Sequence, residues 1–185
     1  MIQLAGPLPD PALLARLRLL ARVVRLLILA GVVTLFGVEL WAWSTPEHAL
    51  AFLRHTEVKT PRVGTQTQVL GALFSLLPAA VTLAMLRRLW EVFGEYAQGR
   101  VFSRCALVSL RGFARWVLID AALAPIYDAA LSIVATWENG PGKREVVVQF
   151  GSDNYTQLLF GLVVLAISTV MVEAARVAED NEGFV

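Results

Sequence analysis

The sequence predicts an all-α membrane protein: four transmembrane helices, a cytoplasmic helical hairpin between spans 2 and 3, and a small extracytoplasmic loop cap with room for short β-strands. Three observations predict it. Of 185 residues 57% are hydrophobic, with a mean hydropathy of +0.63, well above soluble proportions. Four apolar runs, about 22–43, 69–87, 112–135 and 156–175, each approach the roughly 20 residues that a helix needs to cross the hydrocarbon core. Basic residues are also distributed unevenly. Arg16, Arg18, Arg22, Arg25, Arg87, Arg88, Arg100, Arg104, Arg111, Arg115 and Arg176 fall at one set of span ends, against Arg54, Lys59, Arg62, Lys143 and Arg144 at the other. The arginine-rich side is therefore expected in the cytoplasm with both termini. Residues 1–185 read as a single integral membrane domain.

Asp10-Pro11 starts the first helix, with Asp as N-cap and Pro at the first helical position. Leu13, Leu14, Leu17 and Leu20 share a face bordered by arginines, so this stretch either lies at the interface or runs straight into the first span. That span ends at Trp41 and Trp43. A secretory signal is disfavoured, because the apolar run exceeds a signal core and WAWSTPEH offers no small-x-small cleavage site. Ser44 or Thr45 can cap a short helix from Pro46. In the second span Pro78 should kink the helix, with Ser75 or a neighbouring helix compensating.

A polar stretch, Leu86–Arg115, joins spans 2 and 3. One helix runs out through Trp90, Phe93 and Tyr96 to Gly99, which can adopt the left-handed closing conformation. Ser103 then caps the next helix, with Phe102 and Leu107 spaced as a hydrophobic staple. After the third span, which contains Pro125, Asn139-Gly140-Pro141-Gly142 makes a turn. The β-branched run Arg144–Phe150 is the best strand candidate, able to pair with the first external loop. Ser152 reads as the N-cap of the fourth span.

The arginine-rich span end, Tyr96-x-x-Gly99-x-x-Phe102-Ser103, Leu110-Arg111-x-Phe113 and the closing tail Glu173–Val185 resemble a bacterial family of small four-span membrane proteins catalogued as domain of unknown function 2975. The resemblance implies the fold, the bacterial inner (plasma) membrane and a recurrent neighbourhood with small helix-turn-helix regulators. It implies no activity.

Asp120 and Asp128 are the intramembrane residues to weigh, since an ionisable group inside a span is costly. They lie about 80° apart around the helix and roughly 12 Å along it. With Tyr127 and the carbonyl freed by Pro125 they could line a polar cavity for a cation or proton, and Glu39 could approach Asp128. The plainer reading is a polar lock: Asp120 meeting an arginine near the inner boundary, Asp128 reaching outer water, and Glu39 facing water between the tryptophans. Glu173 is placed to pair with Arg87, Arg88 or Arg115. Cys105 is the one cysteine, so no intrachain disulfide forms, and a buried structural thiol is expected. His48 and His55, beside Glu47 and Glu57, complete no metal pattern. No phosphate-binding glycine loop or nucleophile elbow occurs, so no enzyme activity, cofactor or metal is expected. With a formal net charge of +1, neither is direct nucleic-acid binding.

Two readings of function follow. In the first, Arg87, Arg88, Trp90, Tyr96, Arg100 and Arg104, with Glu182 and Phe184 of the tail, dock a small cytoplasmic partner, and the protein is a regulatory or sensory module. The helix-turn-helix class is the partner that the resemblance suggests. In the second, Asp120, Asp128, Glu39 and Tyr127 form the path of a transporter or channel component. Orientation, and attraction of the arginines to anionic membrane lipids, account for the basic face under either. A homo-oligomer is compatible with both.

Overall fold

The computed structural model describes residues 11–54, 58–59 and 61–182, with 178–182 as backbone alone. It contains helices α1 (Pro11–Ser44), α2 (Pro46–Leu53), α3 (Thr65–Tyr96), α4 (Arg104–Ala135) and α5 (Ser152–Glu182), with a 3-10 turn at Trp137–Asn139. The long helices α1, α3, α4 and α5 are each apolar and long enough to cross a membrane. Their 31–34 residues correspond to roughly 46–51 Å at the standard rise, against about 30 Å of hydrocarbon. The helices therefore overshoot the bilayer by several turns. The predicted first helix runs straight into its span without a break.

The spans form a row in chain order: α1 packs on α3, α3 on α4, and α4 on α5. The flanking members are thinly covered by protein, leaving side chains such as Leu26 (65% exposed), Val33 (72%) and Val170 (68%) on the surface. An apolar surface of that extent would not survive in water. Lipid is its natural solvent. α3 and α4 continue unbroken through Pro78 and Pro125.

Local chemistry fixes the helix ends. Thr45 accepts from the His48 amide at the start of α2, and Ser103 accepts from the Ala106 amide at the start of α4. Gly99, at φ +78°, donates to the Tyr96 carbonyl while Arg100 donates to that of Glu95. This is the paired closure of a Schellman motif, which requires the left-handed residue. Phe102 remains 66% exposed, so it is not buried as a staple on Leu107. α5 begins one residue away from the expected cap: Tyr155 donates to the Gly151 carbonyl, and Asn154 Oδ1 accepts from the Gly151 amide. Gly151, rather than Ser152, is the cap.

The opposite end carries a small apolar cluster in which Leu53 and Val58 meet Trp43, Leu131 and Ala135, with Phe52 and Val147 against it. The run 144–150 has no regular secondary structure but alternates in exposure as expected, with Val146, Val148 and Phe150 outward at 63–69%. No strand forms among the described residues. The amides of Glu145 and Val147 donate to Thr136 Oγ1 (3.0 Å) and Ser132 Oγ (2.9 Å) at the end of α4. Side-chain oxygens thus take the donors that a sheet would need.

Candidate functional site

Two polar places stand out in this apolar frame. The first is intramembrane. Trp43 of α1 donates through Nε1 to Ser75 Oγ of α3 (3.0 Å), and the Tyr127 hydroxyl of α4 donates to the same oxygen (3.4 Å). Ser75 thus joins three spans and is engaged by them, instead of compensating Pro78. Beside this node a pocket of about 210 Å³ between α3 and α4 is lined by Phe74, Pro78, Asp120, Tyr127 and Asp128.

The fold therefore brings Asp120, Asp128 and Tyr127 to one cavity, and Glu39 is not among the described residues that line it. Asp120 meets no arginine among the described residues. Its Oδ2 accepts from Gln157 Nε2 of α5 at 2.6 Å, because the antiparallel register of α4 and α5 sets those residues level. The same register puts Phe113 edge-on to Phe160 and Gly161 against Leu118. Gln157 was not singled out from sequence, since its role appears only once two helices are aligned. Asp128 has no hydrogen-bond partner among the described residues.

The second place is the arginine-rich end, where two carboxylates clip α3 to α4. Glu95 accepts from Arg100 Nε and Nη2 (both 3.0 Å) and from Ser103 Oγ (2.8 Å). Glu91 accepts from Ser109 Oγ (2.9 Å) and Arg88 Nη1 (3.1 Å), and pairs with Arg87 (3.4 Å). The arginines expected to await a partner are thus partly used inside the molecule. Arg88 also lays its stem against Gly112.

Trp90 is occupied too. The Arg25 guanidinium of α1 sits 4.5 Å above its ring and donates to its carbonyl at 3.3 Å. Tyr96 packs edge-on to Phe93. Arg104 makes no ion pair among the described residues and lines a groove between α4 and α5. Phe184 and the side chain of Glu182 lie outside the described residues. Glu173 pairs with Arg176 of its own helix (2.6 Å), not with arginines of other spans. Cys105, expected to be buried, is exposed. It lies on the outward face of the first turn of α4.

His48 stacks on Trp41 and shares a hydrogen bond with Ser44 Oγ; His55 and Glu57 lie outside the described residues. No group of three metal-capable side chains occurs among the described residues.

A row of four apolar helices, tied across its interior by a polar node and at one end by an ionic clip, defines a multi-pass, all-helical membrane protein. The chain belongs to the family described as Protein of unknown function (DUF2975), whose model matches residues 42–184, from the end of α1 through all of α5. No curated protein and no solved structure matches it.

Proposed function

We propose that the protein is an inner-membrane module, not an enzyme, whose arginine-rich end faces the cytoplasm and holds a small cytoplasmic protein against the α3–α4 elbow. The observation that supports this reading is the elbow itself: two helices carried beyond membrane length and clipped by Glu91 and Glu95 into a rigid projection. Arg87, Phe102 and Arg104 are its outward side chains. A helix-turn-helix regulator is the proposed partner class, following the sequence resemblance. Regulation would be a shift between two packings of the spans that alters access to the elbow.

The orientation has a direct test in Cys105, because the chain holds one thiol and it is exposed beside the elbow. A membrane-impermeant maleimide should label it in inverted vesicles and leave it unlabelled in intact spheroplasts. The reverse pattern would turn the protein over.

The pocket at Asp120 and Asp128 favours a second reading, a cation- or proton-coupled transporter component. Purification in mild detergent separates the two. Phe102→Ser with Arg87→Gln and Arg104→Gln should reduce partner recovery at least about tenfold, the scale of a small interface hot spot, while Asp120→Asn with Asp128→Asn leaves it unchanged. If the acidic variants abolish an ion flux in proteoliposomes and the elbow variants change nothing, the transporter reading replaces docking.

A further inference from the structure

At the arginine-rich end, α4 and α5 diverge around a groove of about 610 Å³. Arg104, Arg111 and Arg115 enter it from α4 and Arg176 from α5, with Val108 and Val172 on its walls. No carboxylate lines it among the described residues. Arg176 shares its charge with Glu173, but Arg104, Arg111 and Arg115 make no ion pair among the described residues. Arg111 Nε is buried and has no hydrogen-bond partner there. A buried guanidinium N–H without an acceptor is costly, and an anion would satisfy it.

The height of the groove identifies the anion. Arg111 adjoins Gly112, against which the Arg88 stem packs, and Arg25 lies across Trp90, two residues further along α3. These arginines form a belt where the apolar spans give way to charge, which is the level of lipid headgroups. Spacing on α4 adds an amphiphilic order. Arg111, Arg115 and Ile119 follow one another at four-residue intervals on one face, and Ile119 is 42% exposed. Charge stands above and aliphatic surface below.

We propose that this groove binds the phosphodiester headgroup of an anionic phospholipid, with Arg111 and Arg115 forking onto its oxygens and an acyl chain running down past Ile119. Guanidinium groups suit this task because their planar donors match phosphate oxygens two at a time. Phe102 and Arg104 belong to the groove as well as to the elbow, but the lipid assignment rests on Arg111 and Arg115, which the docking reading does not use, so either reading can fail alone.

The test is native mass spectrometry of the full chain in mild detergent with added phosphatidylglycerol or phosphatidylcholine. The unaltered protein should retain phosphatidylglycerol preferentially, and Arg111→Gln with Arg115→Gln should cut that preference about thirtyfold, as expected for two arginines near a headgroup. Arg115→Gln alone should give an intermediate loss, and Lys143→Gln at the opposite end none. An unchanged preference in the double variant overturns the assignment. So does displacement of the lipid by inorganic phosphate, which would mark a soluble-anion site, or a preference that appears only after removal of residues 178–185, which would make the acidic chain end the occupant.

Discussion

Gly71→Leu is expected to lower stability by about 2–4 kcal/mol, combining overpacking with the loss of one interhelical hydrogen bond. A Cβ at position 71 would enter the van der Waals envelope of the Trp43 ring. That ring cannot step aside cheaply. It is 9% exposed, edge-on to Phe52, and held to Ser75 by its indole N–H. A leucine must therefore push α1 away from α3 or expel the indole, and either movement strands Ser75 and Tyr127.

α1 has a second attachment to α3 at the other end, where Arg25 lies over Trp90 and against Gly94. The variant should consequently open α1 from the cap end while keeping the basic end docked. Transfer from mild detergent into dodecyl sulfate, followed by circular dichroism and tryptophan emission, measures the loss. Gly31→Leu is the matched control, since nothing lies within 4 Å of a Cβ there. If both variants unfold with the parent chain, Trp43 is not the residue that seats α1.

What the sequence made legible was chemistry confined to a few adjacent residues. The Thr45 cap before Pro46, the left-handed Gly99 and the Ser103 cap all lie where local rules place them, because each is decided by backbone geometry within one turn; Asp10, the cap expected before Pro11, lies outside the described residues. The four spans were legible for a related reason, as hydropathy summed over about 20 residues needs no knowledge of neighbours. Pairings between helices were not. Asp120 with Gln157, Arg25 with Trp90 and Ser75 with Trp43 depend on register and on rotation about each axis, which one helix's periodicity leaves free. Cys105 fell on the outer face for the same reason.

The run 144–150 failed differently. Its alternation and β-branching were real, but a strand exists only with a partner, and Ser132 and Thr136 claimed its amides first. Asp120, Asp128 and Tyr127 were gathered from sequence alone because one helix carries all three. The docking set spread over two helices and a tail, and contacts within the molecule engage several of its described members, Arg88, Trp90, Tyr96 and Arg100 among them.

Glu95→Ala should open the elbow about tenfold more often, and trypsin should read this as faster cleavage after Arg100. The Glu95 side chain is 15% exposed and accepts three charge-assisted hydrogen bonds, two of them from the Arg100 fork. Bonds to a charged group contribute about 1.5–3 kcal/mol. Because the Arg100 side chain is 55% exposed, solvent screening reduces this to about 1–2 kcal/mol. That corresponds to roughly 5–30-fold in a local opening equilibrium, and proteolysis follows such an opening when reclosure is fast.

Gly99 should hold the turn's conformation in the variant, since its positive φ does not depend on the carboxylate. The change should therefore appear as fraying of the last turn of α3 and the first of α4, without loss of the spans. Glu95→Gln keeps one acceptor oxygen and should fall between the two. Glu91→Ala removes the second clip, to Ser109 and Arg88; if the clips act together, the double variant will exceed the sum of the single effects. Unchanged cleavage after Arg100 in Glu95→Ala would mean that backbone closure alone holds the elbow, and the rigid projection on which docking rests would lose its ionic basis.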